Sequence, residues 1–66
     1  MTTYTDKHTG KVYALGQGHY SRTVTQYPAK TLVWGDGSAT AKPTGSATFH
    51  TQALRTNWLR MMGFTK

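Results

Sequence analysis

Lys11-Val12-Tyr13-Ala14-Leu15 carries apolar side chains at both parities of an extended chain, as expected of a strand interior to its sheet. Before it, Lys7-His8-Thr9-Gly10-Lys11 places a glycine after a short polar turn. That suits a three-residue hairpin loop whose last residue takes φ > 0, and it predicts strands over about residues 2–7 and 11–16. After it, Gly16-Gln17-Gly18 supplies the next turn. Residues 19–27 then alternate, with Tyr20, Arg22, Val24 and Gln26 on one face and His19, Ser21, Thr23, Thr25 and Tyr27 on the other. Pro28-Ala29 ends that run, because proline pre-sets a turn and has no N–H for a ladder. Lys30-Thr31-Leu32-Val33-Trp34 reads as a fourth strand, closed by Gly35-Asp36-Gly37.

Residues 35–46 contain only Gly, Ser, Thr, Ala, Pro, Asp and Lys, which makes them a loop with at most a short edge strand through Ser38–Ala41. Gly-Ser-Ala-Thr occurs here twice, at 37–40 and 45–48, too short a repeat for a solenoid. The C-terminal part reads as a helix over about residues 47–62. Ser46 is its N-cap, Arg60 a last-turn cation and Gly63 the left-handed residue beyond its end. Ala47, Leu54, Trp58, Met61 and Met62 fall in one sector, the expected core face, with Thr51 inside it and His50 at its edge. A Schellman turn at Gly63 brings Phe64 back onto Leu59. The assembly is α+β: a small antiparallel β-meander of four to five short strands over about 2–41, a loop over 35–46, and one C-terminal amphipathic helix. At this length the meander is short enough to curl into an SH3-like barrel.

The 66 residues form one small domain, 1–66, and a chain of this length buries only about 60% of the surface it exposes unfolded. Leu, Val and Phe total nine with no Ile, so the four Tyr, two Trp and two Phe must supply most of the apolar area. Thirteen Thr favour strands over helix. Without cysteine there is neither disulfide nor thiolate metal site. The N-terminus lacks an apolar signal segment, and no apolar run approaches membrane-spanning length. The expected setting is cytoplasmic or virion-associated, not secreted, and without a membrane partner.

Eight Lys and Arg face two Asp, for a net charge of +6. Catalysis is the poorest reading, with no catalytic residue, metal or cofactor assigned. Asp6 and Asp36 sit in turns, no serine lies in a G-x-S-x-G elbow, and His8, His19 and His50 lack zinc-site spacing. The enzymatic alternative is a metal-free ribonuclease using His19, Arg22 and His50. Lys42-Pro43-Thr44-Gly45-Ser46 leads into a helix start but lacks the spacing of a phosphate-binding loop.

DNA or RNA is the favoured partner, because phosphate neutralisation and base stacking need the cations and aromatics this chain interleaves. The expected interface is the sheet face around Tyr13, Tyr20, Arg22 and Trp34, with Lys7, Lys11 and Lys30 from hairpin ends on phosphates. Arg55 and Arg60 on the helix form a second basic surface. The same aromatics are also the only large side chains available for a core. Two other classes fit the composition. One is a structural, phage-type virion protein completed by partner contacts or by homo-oligomerisation, and the other a small basic inhibitor or regulator docking on an acidic enzyme surface.

Overall fold

Val12, Ala14 and Leu15 are all buried, because the strand that carries them is covered on both sides. A computed structural model describes residues 2–65. Four strands, β1 (Thr3–Thr5), β2 (Val12–Leu15), β3 (Thr23–Tyr27) and β4 (Gly45–Thr48), pair antiparallel in the order 1-2-3-4, and helix α1 (Gln52–Met61) follows. The sheet is open, with β1 and β4 at its edges, and does not close as a barrel.

Alternation sorts the strand residues into two thin cores. On one face Val12, Ala14 and Tyr27 pack with Val33 and Ala39 from the long β3–β4 connection. On the other, Leu15 and Val24 meet Leu59 of α1, surrounded by Tyr4, Tyr13, Phe49, Trp58 and Phe64. A helix alone would leave the Val12–Ala14–Tyr27 face wet. The excursion over residues 28–44 covers it by folding back as a small hairpin. Val33 bridges Ala39, Trp34 N–H donates to the Ser38 carbonyl at 2.8 Å, and Thr40 N–H donates to the Leu32 carbonyl at 3.0 Å. Thr31 is buried with its hydroxyl donating to the Pro28 carbonyl at 2.7 Å, and Lys30 beside it is held at φ 66°.

Three expectations are corrected here. Residues 30–34 contribute one isolated bridge rather than a strand, and the fourth strand is Gly45–Thr48, in the stretch read as loop and helix start. The helix begins at Gln52, not about residue 47, and its cap is Thr51, whose side chain accepts from Leu54 N–H at 3.2 Å, so Ser46 caps nothing. Its inner face is also different. Leu54 is 47% and Met61 85% exposed, whereas Leu59 is buried and Arg55, Trp58 and Met62 are partly covered. The spacing 55, 58, 59, 62 is as helical as 54, 58, 61. Two contacts select it: the Arg55 guanidinium reaching the sheet, and the turn at Gly63 (φ 80°). In that turn Phe64 N–H donates to the Leu59 carbonyl and Gly63 N–H to the Arg60 carbonyl, both at 3.0 Å. Phe64 thus folds back on Leu59 as the Schellman reading requires.

Gly10 takes the positive φ expected of it, 75°, but it closes a loop of four residues, 7–10, and not three, because Asp6 N–H donates to the Lys11 carbonyl. Gly16 is needed for a different reason. A Cβ there would lie 2.2 Å from both the Tyr20 carbonyl oxygen and the Thr23 hydroxyl, so the chain leaves β2 along a path only glycine allows. It then makes a 3-10 turn over Gly18–Tyr20, so the strand expected from residue 19 begins only at Thr23, and Tyr20 lies in the turn and not on the sheet.

Candidate nucleic-acid interface

Packing consumes most of the aromatics. Tyr13 meets Trp58 edge-on at 5.3 Å between centroids and Phe64 at 5.7 Å. Tyr4 stacks on Phe64, and Phe49 lies 6.0 Å from Trp58. Tyr27 is buried on the other face. Only Tyr20, 67% exposed, and Trp34, 51% exposed, remain open to solvent. The expected platform therefore does not exist as one surface: Tyr13 belongs to the helix–sheet core, Tyr20 to the 3-10 turn, and Trp34 to the excursion on the opposite side of the sheet.

The cations divide similarly. Lys7 and Lys11 flank the β1–β2 turn, where Asp6, Lys7 and His8 line a recess of about 300 Å³ with Met61, Met62, Gly63 and Phe64. Lys30 is exposed at the start of the excursion, and Arg60 is exposed on the outer side of α1. Arg55 and Arg60 thus face different ways and share no helix surface. Arg55 is turned inward, its Nη1 donating to the Gly16 carbonyl at 2.8 Å and the Thr23 carbonyl at 3.1 Å.

One corner does gather several of the expected residues. The β2–β3 connection and the start of α1 are tied by Gln52 Nε2 donating to Ser21 Oγ at 2.7 Å, and by Arg22 Nη1 donating to the His50 carbonyl at 3.0 Å. Phe49 N–H also donates to the Arg22 carbonyl at 2.7 Å, which extends the β3–β4 ladder by one pair. Tyr20, Arg22 and Arg55 therefore meet at this end, together with His19, His50 and the N-terminal N–H groups of α1. The helix dipole adds partial positive charge there.

Both carboxylates lie elsewhere and are engaged by their own turns. Asp6 Oδ1 accepts from His8 N–H at 2.7 Å and Thr9 N–H at 3.3 Å, and the His8 bond leads in holding this carboxyl below its ordinary value. Asp36 Oδ1 accepts from the Ser38 hydroxyl at 2.6 Å and Ser38 N–H at 3.0 Å, and the hydroxyl bond leads in lowering its pKa. The arginines of the corner accordingly bond to backbone carbonyls and not to either aspartate. A guanidinium has five donors. Arg22 is exposed and uses Nη1 on His50, which leaves further N–H groups directed to solvent.

Of His19, Arg22 and His50, the residues of the ribonuclease alternative, Arg22 bonds to the His50 backbone carbonyl, and no hydrogen bond joins the side chains of the three. What sequence reading missed is Gln52, whose bond to Ser21 fixes the corner; nothing in the local pattern pairs positions so far apart. Among the described residues no three or more His, Cys, Asp or Glu side chains gather to hold a metal, and no helix is long and apolar enough to cross a membrane. No family model, curated protein or solved structure matches the chain.

Proposed function

We propose that this chain is a small basic, non-enzymatic nucleic-acid-binding protein that takes DNA or RNA at the corner between the β2–β3 connection and the start of α1. The observation that carries the reading is the exposed Tyr20 ring two residues from Arg22, beside cations that bond to backbone carbonyls while Asp6 and Asp36 are engaged in their own turns. Tyr20 offers a face on which a base stacks, worth about 1–3 kcal/mol per base in proteins that bind single strands this way. Arg22, His19 and the free N–H groups of α1 lie where phosphates would run. Arg55 holds the corner in shape from beneath. Lys7, Lys11, Lys30 and Arg60 add to the long-range attraction without sharing the site.

Fluorescence anisotropy of labelled DNA and RNA oligonucleotides at about 50 and 200 mM salt tests this, since each phosphate contact steepens the salt dependence. Tyr20→Ala is expected to weaken binding to single strands at both salts, and Arg22→Ala to flatten the salt dependence. Absence of binding at about 50 mM salt would sink the proposal.

A second reading has its own support. Leu32, Trp34, Leu54 and Met61 are exposed, and no large side chain among the described residues is wholly enclosed. Such surface belongs to a chain completed by contacts in an assembly, as a structural virion-type protein would be.

A further inference from the structure

β4 is an open edge. Gly45–Thr48 pairs with β3 on one side only, and all four residues are exposed. Phe49 N–H points inward to Arg22, so by antiparallel alternation Ala47 also turns its backbone groups to β3. Ser46 and Thr48 then present their N–H and C=O groups outward, away from the sheet. Within Gly45–Thr48 there is neither charge nor proline, two of the devices that commonly close natural edges; Lys42 and Pro43 stand just before it.

Beside this edge lies an apolar groove whose origin is the register. On the α1 side of the sheet one cross-strand row runs Tyr4, Tyr13, Gln26, Gly45, and the next runs Leu15, Val24, Ala47. Side chains shrink towards β4, while the aromatic contacts that anchor α1 run through Tyr4 and Tyr13. The space left over is a half-open groove of about 320 Å³, walled by Tyr13, Phe49 and Trp58 and floored by Val24, Gly45 and Ala47.

We propose that β4 and this groove form a docking site for an extended, acidic segment of a partner polypeptide, which adds to the sheet as a fifth strand. Its backbone pairs with Ser46 and Thr48. A large apolar side chain lies across Gly45 and Ala47 against Trp58. Its carboxylates meet Arg22 at one end of β4 and Lys42, three residues before Gly45, at the other. Charge selects this occupant: the chain carries +6, and its own two carboxylates are engaged in turns. A second copy pairing β4 to β4 would instead bring Lys42 of each chain towards Arg22 of the other. A nucleic acid lacks the alternating N–H and C=O groups that the edge matches. Arg22 borders both sites, but the open edge and the groove are separate from Tyr20, on which the stacking of the nucleic-acid reading rests.

The test uses Trp34→Phe as background, so that Trp58 is the sole tryptophan and reports on the groove. The probe is a synthetic peptide of about ten residues alternating valine or phenylalanine with threonine and ending in glutamates; a lysine-ended peptide is its control. The glutamate-ended peptide should shift Trp58 emission to the blue and saturate, binding about tenfold or more tightly than the control. Ser46→Pro removes an outward N–H while leaving the bonds to β3, and it should weaken binding about tenfold. Ala47→Phe fills the groove and should abolish the shift. Circular dichroism checks that each variant is folded, and if Ser46→Pro unfolds, Ala47→Phe decides. No saturable shift, or unchanged binding by folded Ser46→Pro and Ala47→Phe, overturns the proposal. So does an equal shift with a single-stranded oligonucleotide, or concentration-dependent dimerisation that the peptide does not displace.

Discussion

The rings of Tyr4 and Phe64 are stacked, with centroids 5.2 Å apart and planes 11° from parallel, and this contact joins the first strand to the turn that ends the helix. It closes the molecule across nearly its whole sequence. Phe64 also touches Tyr13 and Trp58, so one ring beyond the helix braces β1, β2 and α1 together.

Phe64→Ala is therefore expected to lower stability by about 2–3 kcal/mol, below the usual cost for a fully buried phenylalanine because the ring is half-buried. Urea unfolding followed by circular dichroism measures it. A loss under about 0.5 kcal/mol would mean that the helix holds its place without this brace.

Gly16→Ala should destabilise by about 1–3 kcal/mol, because its Cβ must displace the Tyr20 carbonyl, and backbone yields less readily than a side-chain tip. Gly18 is a useful contrast. It has φ 60° but nothing within 4 Å of an added Cβ, so Gly18→Ala should cost only about 1 kcal/mol through backbone strain. Thermal midpoints of the two variants should fall in that order.

Arg55 and Arg22 should separate structure from binding. Arg55→Lys replaces the planar Nη1 amino group, whose hydrogens meet the Gly16 and Thr23 carbonyls, with an ammonium on a shorter and more flexible stem, and it is expected to cost about 1–2 kcal/mol of stability with little change in the salt dependence of nucleic-acid binding. Arg22→Ala should do the reverse, reducing the salt slope by about one with a smaller loss of stability. Denaturation curves paired with salt titrations check both.

Acid should reveal the two turn carboxylates. Their folded pKa values are lowered by hydrogen bonds, so their contribution is present above the ordinary carboxylate value of 3.8 and is lost as pH falls through the lower folded values. Both are solvent-exposed, so the loss should be small. Asp6→Asn should shrink the stability difference between pH 6 and pH 3, as measured by urea midpoints; an unchanged difference would show that the Asp6 turn does not contribute.

The hairpin at Gly10, the two-sided burial of β2, the alternating run of β3 and the Gly63–Phe64 stop were legible because each depends on local backbone geometry or on a period within one element. The fourth strand was not. Gly45–Thr48 has no apolar side chain larger than alanine, and it is a strand because β3 offers it a ladder. The mirror error was Leu32-Val33-Trp34, whose residues favour strand but supply only the Val33 bridge.

For the interface, sequence alone determined that the chain is cationic, that its carboxylates sit in turns and that its aromatics must serve core and surface alike. It could not say which aromatic does which. Tyr13 and Tyr20 look alike in their strand-like surroundings, yet one is held by Trp58 and Phe64 and the other stands clear of the fold. That division was decided only in tertiary structure. Local pattern fixes which way a side chain alternates, but burial depends on what the rest of the chain brings to that face, and here α1 settles over β2 while the described residues leave the Tyr20 ring open.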